Sequence, residues 1–174
     1  MAVRTVLTWP NEKLRHTAEP VALFDDALRT LVSDMYDTMY DAQGVGLAAV
    51  QIGVNQSVIV MDCGAEEAEP ITLINARIIE REGTIIWREG CLSFPGVSAE
   101  VERARDVTIE FHDVDGQVHH MEASGLLAVC IQHELDHLDG QLYFDRMGEL
   151  ERKAALLEYG RVQSDQPEVQ HANP

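Results

Sequence analysis

The chain is short of cysteine and of long apolar runs. It has only three cysteines in 174 residues, an odd number in a chain long enough to fold without disulfide staples. This excludes a disulfide-held secreted scaffold and makes a reducing cytoplasm the expected location. No window approaches the ~18 apolar residues that a membrane-spanning helix needs, so we expect no membrane partner.

Basic residues are also scarce. Thirteen Lys and Arg stand against thirty Asp and Glu, which gives a formal net charge of −17. A surface of this sign repels phosphate backbones unless its basic residues cluster, and the sequence shows no such cluster. We therefore expect no nucleic-acid partner and interpret the acidic excess as a contribution to solubility.

What is present is the composition of an ordinary globular domain. Apolar residues make up 45% of the chain and charged residues 25%, enough for one sizeable core. No internal repeat or long linker divides the sequence, so we predict one catalytic domain over residues 1–160. The remaining residues, 161–174, are polar and mildly acidic, and we predict that they form a disordered tail.

Helical periodicity marks three segments. In residues 25–40 apolar side chains recur at the three- and four-residue spacing of one buried helical face. Residues 125–140 are apolar on every side at first and then polar, which predicts a helix buried at its start. Residues 149–159 form a last amphipathic stretch. Its predicted apolar face comprises Leu150, Ala154 and Leu157.

Strand-like sequence lies between the first two helices. Stretches rich in Val, Ile and Thr, or alternating apolar with polar residues, predict strands at 57–61, 71–79, 84–87, 107–111 and 117–122. Asp115-Gly116 supplies a hairpin turn between the last two. Antiparallel pairing is the economical arrangement. The predicted fold class is therefore α+β, with antiparallel strands packed around a central buried helix and a helix at either end.

The buried helix carries the pentad His133-Glu134-Leu135-Asp136-His137. Its two histidines are four residues apart on one helix face, so both imidazoles can reach a single ion. Glu134 lies one residue round the helix, off the metal but close enough to take a proton from metal-bound water, which suits hydrolysis. The alternative is a helix with two ordinary surface histidines, and burial at the helix start argues against it.

A third ligand decides which kind of site this is. A histidine six residues after His137 would complete the longer metalloprotease pattern, but Tyr143 stands there. A later glutamate is a second route, for which Glu151 and Glu158 are available on an exposed amphipathic helix. Cys91 is the favoured candidate, since it follows a strand and a glycine that admits close backbone approach.

The other two cysteines are interpreted as structural. Cys130 precedes His133 on the same helix but lies roughly 10 Å along the axis from His137, too far to share its ion. Cys63 has no evident partner. The face that carries the histidines continues towards the helix start as an apolar wall, which either packs in the core or lines a substrate pocket. This wall comprises Leu126, Val129 and Cys130.

Three motifs in register resemble those of peptide deformylases. They are Gly44-Val45-Gly46-Leu47-Ala48-Ala49-Val50-Gln51, Glu89-Gly90-Cys91-Leu92-Ser93 and the histidine pentad at 133–137. Strand-like sequence separates the first two motifs and a helix carries the third, and the resemblance covers residues 4–160. It implies removal of the formyl group from the N-terminal formyl-methionine of newly made polypeptides, with release of formate.

The resemblance also implies a role for each site residue. Glu134 would deprotonate the metal-bound water and return the proton to the leaving amine, while the Gln51 amide and the Leu92 backbone N–H stabilise the oxyanion. The implied metal ligands are Cys91, His133 and His137. The implied substrate contacts are the backbone at Val45, Gly46 and Gly90 and a methionine pocket that includes Leu126, Val129 and Cys130.

Fe(II) is the implied metal, one ion per chain, and zinc, nickel or cobalt can substitute because thiolate and imidazole accept all of them. The implied partners are N-formyl-methionyl peptides, with the ribosome as a second candidate. Relatives with a basic C-terminal helix can dock on the ribosome, but residues 161–174 lack that character. Asp136 is predicted to orient a histidine or to pair with Arg103 or Arg105.

Two other functions stay open from the sequence. A metallopeptidase that cuts internal peptide bonds would share the histidines and Glu134 but would not need Cys91. A non-catalytic metal-binding module would keep the ligands without needing Glu134 or Gln51.

Overall fold

The structure, a computed structural model, describes residues 2–64 and 69–165. Within them the chain forms three α-helices, α1 (Asp26–Asp41), α2 (Gly125–Leu138) and α3 (Glu149–Asp165). It also forms seven strands, β1 (Gly46–Ala48), β2 (Val58–Met61), β3 (Ile71–Glu82), β4 (Ile85–Cys91), β5 (Phe94–Arg103), β6 (Asp106–His112) and β7 (Val118–Ser124).

The strands form two antiparallel sheets. One has five strands in the order β1-β2-β3-β6-β7, and the other is the hairpin of β4 and β5. The five predicted strands are all present and their antiparallel pairing is confirmed, as is the α+β class. β1 and β5 were not predicted, because their glycines and Pro95 are typical of loops.

Strand β2 is buried on both faces of the larger sheet. Val58, Ile59, Val60 and Met61 are all inaccessible to solvent. Val58 and Val60 belong to the core formed with α1, whereas Ile59 and Met61 belong to the core formed with α2. Since side chains alternate along a strand, a strand covered on both faces needs an unbroken apolar run.

Helix α1 has the buried face that its periodicity predicts, and it begins with a side-chain cap. The Asp25 side chain accepts a hydrogen bond from the Leu28 backbone N–H at 3.0 Å, which satisfies one of the free donors at the helix start. The predicted apolar side chains are all buried, namely Leu28, Leu31, Val32, Met35 and Met39. The helix therefore covers one face of the five-stranded sheet.

Helix α2 lies between the other face of that sheet and the β4–β5 hairpin. Its residues Ala128 and Ile131 pack in the sheet core, while His133 contacts Glu89 of the hairpin. The helix stops before Gly140, which has a φ of +69° and where a Cβ atom would collide with the Arg15 carbonyl. Packing on both sides thus fixes the position of the helix that carries the histidine pentad.

The predicted apolar face of α3 is wrong. Leu150 and Leu157 are 79% and 66% exposed, whereas Ala155 and Tyr159 are buried. The Tyr159 ring stacks on Phe94 of β5 with the ring centroids 4.0 Å apart. The hairpin therefore selects a different face of the helix from the one that periodicity favoured.

Helix α3 also continues to Asp165, so residues 161–165 belong to the helix and not to the predicted disordered tail. The rest of that predicted tail, 166–174, lies outside the described residues. Among the helices of the described ranges, none combines the length and apolar character needed to cross a membrane.

Candidate active site

The end of β4 and the last turns of α2 bring three metal-ligand side chains together. The candidate ligand atoms of Cys91, His133 and His137 all lie within 4.8 Å of one another. The Cys91 sulfur is 3.3 Å from Nε2 of His137. Over residues 2–64 and 69–165 this is the one group of three or more His, Cys, Asp or Glu side chains with such geometry.

The other routes to a third ligand do not meet this group. Glu151 and Glu158 lie exposed on α3 and take no part in it. Tyr143, which stands at the position of the third histidine in the longer metalloprotease pattern, donates its hydroxyl to the Val97 carbonyl at 3.1 Å. The structure therefore brings Cys91, rather than a glutamate, to the two histidines.

A hydrogen bond to Glu89 fixes the orientation of the His133 ring. Its Nδ1 lies 2.8 Å from Oε2 of Glu89, which leaves Nε2 to face the thiol of Cys91. Burial opposes ionisation of Glu89, but hydrogen bonds from Arg103 and His133 outweigh burial and hold the pKa of its carboxyl below its ordinary value. An ionised Glu89 favours the tautomer in which Nε2 is free to bind a metal.

A buried ion network extends this support. Arg103 donates from Nε and Nη2 to the two carboxylate oxygens of Glu89, at 2.7 and 3.0 Å, and from Nη1 to Asp136 at 2.6 Å. Arg146 closes the network at the other oxygen of Asp136, at 2.5 Å. The predicted pairing of Asp136 with Arg103 is confirmed, whereas the alternative partner, Arg105, pairs elsewhere.

Glu134 faces a cavity with one carboxylate oxygen free. The residue is 5% exposed, and its Oε2 has no hydrogen-bond partner among the described residues. Burial raises the pKa of Glu134 to about 7. A Cβ atom on Gly46 would lie 2.6 Å from Oε1, so only glycine lets β1 pass this close to the carboxylate. Such a group is poised to exchange a proton near neutral pH.

Gln51 is buried with its amide fixed in one orientation. Its Oε1 accepts a hydrogen bond from the Ala48 backbone N–H at 2.8 Å. Its Nε2 consequently faces Ser93, 3.1 Å from the hydroxyl oxygen, and Cys91, 3.8 Å from the sulfur. Leu92 lies in the turn between β4 and β5, beside these groups. Of the two predicted oxyanion donors, the Gln51 amide therefore lies beside the thiol, and Leu92 directly follows Cys91 in the chain.

A cavity of ≈490 Å³ adjoins the ligand group. Of the site residues predicted from the sequence, His137 alone is not on its wall; it is buried and contacts the Cys91 sulfur. The predicted residues that line it are Val45, Gly46, Gln51, Gly90, Cys91, Leu92, Leu126, Val129, Cys130, His133 and Glu134.

Several lining residues were missed. They are Gln43, Gly44, Trp87, Arg88, Glu89, Pro95 and Gly96. Trp87 shares a strand face with Glu89 and Cys91, so counting back in twos from the predicted ligand would have found it. The remainder are brought to the cavity by β1 and by the β4–β5 hairpin, whose fold the sequence did not predict.

The donor set fits a divalent transition metal. One thiolate and two imidazoles suit iron, zinc, nickel and cobalt, and three protein ligands leave a coordination position open. Glu134 lines the adjoining cavity, and its buried Oε2 has no hydrogen-bond partner among the described residues. These residues can therefore hold a catalytic rather than a closed structural metal.

Known proteins match the chain over most of its length. A family model described as polypeptide deformylase matches residues 3–153. The chain is 52% identical to the peptide deformylase of Alkalilimnicola ehrlichii over 169 residues, which covers 93% of this chain and 95% of that protein. It is 44% identical to the peptide deformylase of Hydrogenovibrio crunogenus, with coverages of 92% and 95%.

Solved structures match the fold as well. A crystal structure of a peptide deformylase from Legionella pneumophila superposes with a TM-score of 0.87 at 44% identity, covering 95% of this chain and 100% of that one. The peptide deformylase from Synechococcus elongatus in complex with actinonin superposes with a TM-score of 0.86 at 42% identity, over 94% and 92% of the chains. The chain therefore belongs to the polypeptide deformylase family.

Proposed function

We propose that this chain is a metal-dependent amide hydrolase that removes the formyl group from N-terminal formyl-methionine of newly made polypeptides. The observation that carries the proposal is the meeting of Cys91, His133 and His137 beside the buried carboxylate of Glu134, on an apolar cavity. In this proposal α2 is the central catalytic helix of the α+β domain.

Cys91, His133 and His137 would hold one divalent ion, which when bound polarises water and the formyl carbonyl. The ion that we propose is Fe(II), as the family resemblance implies, although the same donors accept zinc, nickel or cobalt. A ferrous thiolate site is sensitive to oxygen. Protein purified in air should then lose activity and iron relative to protein purified anaerobically, and equal activity would count against iron.

Glu134 moves the proton. Its carboxylate accepts a proton from the water that adds to the formyl carbon and then delivers it to the departing nitrogen as the C–N bond breaks. The products are formate and the free amino terminus. Burial supports this role, because a carboxyl with a pKa of about 7 both accepts and returns a proton near neutral pH.

Gln51 and Leu92 stabilise the negative charge that forms on the formyl oxygen. A donor helps most when it is aimed in advance and needs no reorganisation. The hydrogen bond from the Ala48 N–H holds the Gln51 amide with its nitrogen towards the thiol, 3.8 Å away. The Leu92 N–H lies in the adjoining hairpin turn.

The substrate lies extended between β1 and β4. Each strand is at the end of its sheet in the strand order, so a peptide can pair with the backbone near Val45, Gly46 and Gly90. The methionine side chain fills the apolar part of the cavity. The residues of α2 proposed to contact it are Leu126, Val129 and Cys130.

The cysteines and α3 bear on the location of the protein and on ribosome docking. Free thiols at Cys63, Cys91 and Cys130 are compatible with a cytoplasmic location. No ribosome docking through a basic C-terminal helix is proposed, since α3 carries four acidic residues and three basic ones.

Product analysis separates the competing functions. The chain is incubated with formyl-Met-Gln-Ala and with the same peptide without the formyl group. Formate and an otherwise intact peptide from the first substrate alone establish the deformylase. Internal cleavage that survives in a Cys91→Ser variant would favour the metallopeptidase, and bound metal with neither product would favour the metal-binding module.

A further inference from the structure

Arg88 carries the accessible charge of the cavity. The charged side chains on the cavity wall are those of Arg88, Glu89, Glu134 and the titratable His133. Glu89 and Glu134 are each 5% exposed and His133 is 8% exposed, whereas Arg88 is exposed. A ligand that enters the cavity therefore meets one accessible charge, and its sign is opposite to the net charge of −17.

Arg88 has no carboxylate partner among the described residues. Its Nε donates to the Ser98 hydroxyl at 3.0 Å, and Glu100, its register partner on β5, forms no ion pair with it in the described part of the chain. Two other exposed arginines are paired, Arg77 with a glutamate on β6 and Arg105 with its neighbouring aspartate, whereas Arg81 and Arg161 resemble Arg88 in having no ion pair among the described residues. The terminal guanidinium nitrogens of Arg88 are left for a ligand.

The two faces of β4 carry different side chains. Glu89 and Cys91 point towards α2, where Glu89 contacts His133. Because side chains alternate along a strand, Arg88 and Gly90 belong to the opposite face. The side of β4 that faces α2 and the side that carries the accessible cation thus lie on opposite sides of the strand backbone, and both reach the cavity.

Gly90 leaves room beside Arg88. A Cβ atom at Gly90 would meet no atom within 4 Å, so the outer face is open there. Ser98 pairs with Gly90 across the hairpin and holds the Arg88 side chain at Nε, which keeps the guanidinium next to the opening. This opening lies on β4, the strand with which the substrate peptide is proposed to pair.

We propose that Arg88 determines specificity at the second residue of the substrate, favouring Asp or Glu directly after the formyl-methionine. The inference rests on the proposed function and on the proposed pairing of the peptide with β4 at Gly90. Side chains of paired strands that stand opposite one another share a face, and neighbouring residues alternate. With methionine on the α2 side, the second side chain falls on the Arg88 side, within reach of a long arginine.

The test compares kcat/KM for formyl-Met-Glu-Ala and formyl-Met-Gln-Ala at low ionic strength. The wild type should prefer the glutamate peptide about two- to fivefold, the effect expected of an exposed ion pair. Salt should reduce the preference. In Arg88→Ala the ratio of kcat/KM for the glutamate peptide to that for the glutamine peptide should fall to one or below, because the chain is otherwise strongly acidic. Arg88→Lys keeps the charge and should keep part of the preference for glutamate.

Arg105→Ala is the matched control, since it removes the same charge from an exposed arginine outside the cavity and should leave the ratio unchanged. Equal rates for the two peptides in the wild type, or the same preference in Arg88→Ala, would overturn the assignment while the deformylase activity stands. Absence of formate from either peptide would overturn the proposed function and this assignment together.

Discussion

A Cβ atom at Gly46 would lie 2.6 Å from Oε1 and 3.1 Å from Cγ of Glu134. Gly46→Ala should therefore displace the carboxylate and lower kcat by about 10²-fold, the effect of an error of about 1 Å in a reacting group. Metal content should be unchanged, since the three ligands are untouched. Formate release and metal analysis on the same preparation test both expectations.

Gly160→Ala is the control for this substitution, because a Cβ atom there meets nothing within 4 Å. It should keep the wild-type rate. A Gly46→Ala enzyme with wild-type kcat would show that the position of Glu134 does not limit the reaction.

The proton acceptor also predicts a pH dependence. Burial raises the pKa of Glu134 to about 7, and only the ionised form can accept a proton. A bound cation favours the carboxylate, so kcat/KM should rise with pH through a limb at or below about pH 7 and then level off. A pH–rate profile on metal-loaded enzyme measures it, and a rate that increases as the pH falls through this range would contradict the assignment.

The sequence predicted the site side chains that share one helix. The spacing of His133, Glu134 and His137 on α2 fixes their relation before any tertiary structure is known. Cys91 was favoured as the third ligand because it follows a strand and a glycine and because its motif resembles that of peptide deformylases. The residues behind the ligands, Glu89 above all, act through contacts between distant strands and the helix, which no local spacing reveals.

Arg103 connects the β4–β5 hairpin to α2 by ion pairs with Glu89 and Asp136. Arg103→Ala would leave both carboxylates buried without that partner, which should lower the free energy of unfolding by about 3–5 kcal/mol. Urea unfolding of the metal-free proteins measures the change. Arg105→Ala, at an exposed ion pair, should change it by less than about 0.5 kcal/mol. Equal losses in the two variants would contradict a structural role for the buried network.

The face of α3 that packs on β5 gives a second prediction at this scale. Tyr159→Ala removes the ring stacked on Phe94 and should cost about 3–5 kcal/mol of unfolding free energy. Leu157→Ala, on the opposite, exposed face, should stay within about 0.5 kcal/mol of wild type. Thermal unfolding of the two variants measures the loss of stability. A larger loss in Leu157→Ala than in Tyr159→Ala would indicate that α3 packs through the face that periodicity favoured.

The elements that could be predicted were those with a strong local signal. The apolar period of α1 and the unbroken apolar run of β2 each point to one structure. In α3 two faces were available, and the stacking of Tyr159 on Phe94 chose between them. β5 does alternate buried Val97 and Val101 with exposed residues, but Pro95 at its start suggested a loop.

On the scale of the whole molecule, the site belongs to no single part. The larger sheet positions Gly46, and Gln51 follows just after β1. The hairpin carries Cys91 and Arg88. Helix α2, between the sheet and the hairpin, carries the histidine pentad. The chain carries a formal net charge of −17, whereas the accessible charge on the cavity wall is positive. The net negative charge could be predicted from the composition. The position of Arg88 on the cavity wall could not, because it depends on the register of the β4–β5 hairpin.

The first measurement to make is formate release from formyl-Met-Gln-Ala by wild type and Glu134→Ala, both purified anaerobically and with bound metal quantified. We expect about one metal per chain in each protein, formate from the wild type and at least about a 10²-fold lower rate in the variant. Equal rates at equal metal content would contradict the assignment of Glu134, and no formate from metal-loaded wild type would contradict the function itself.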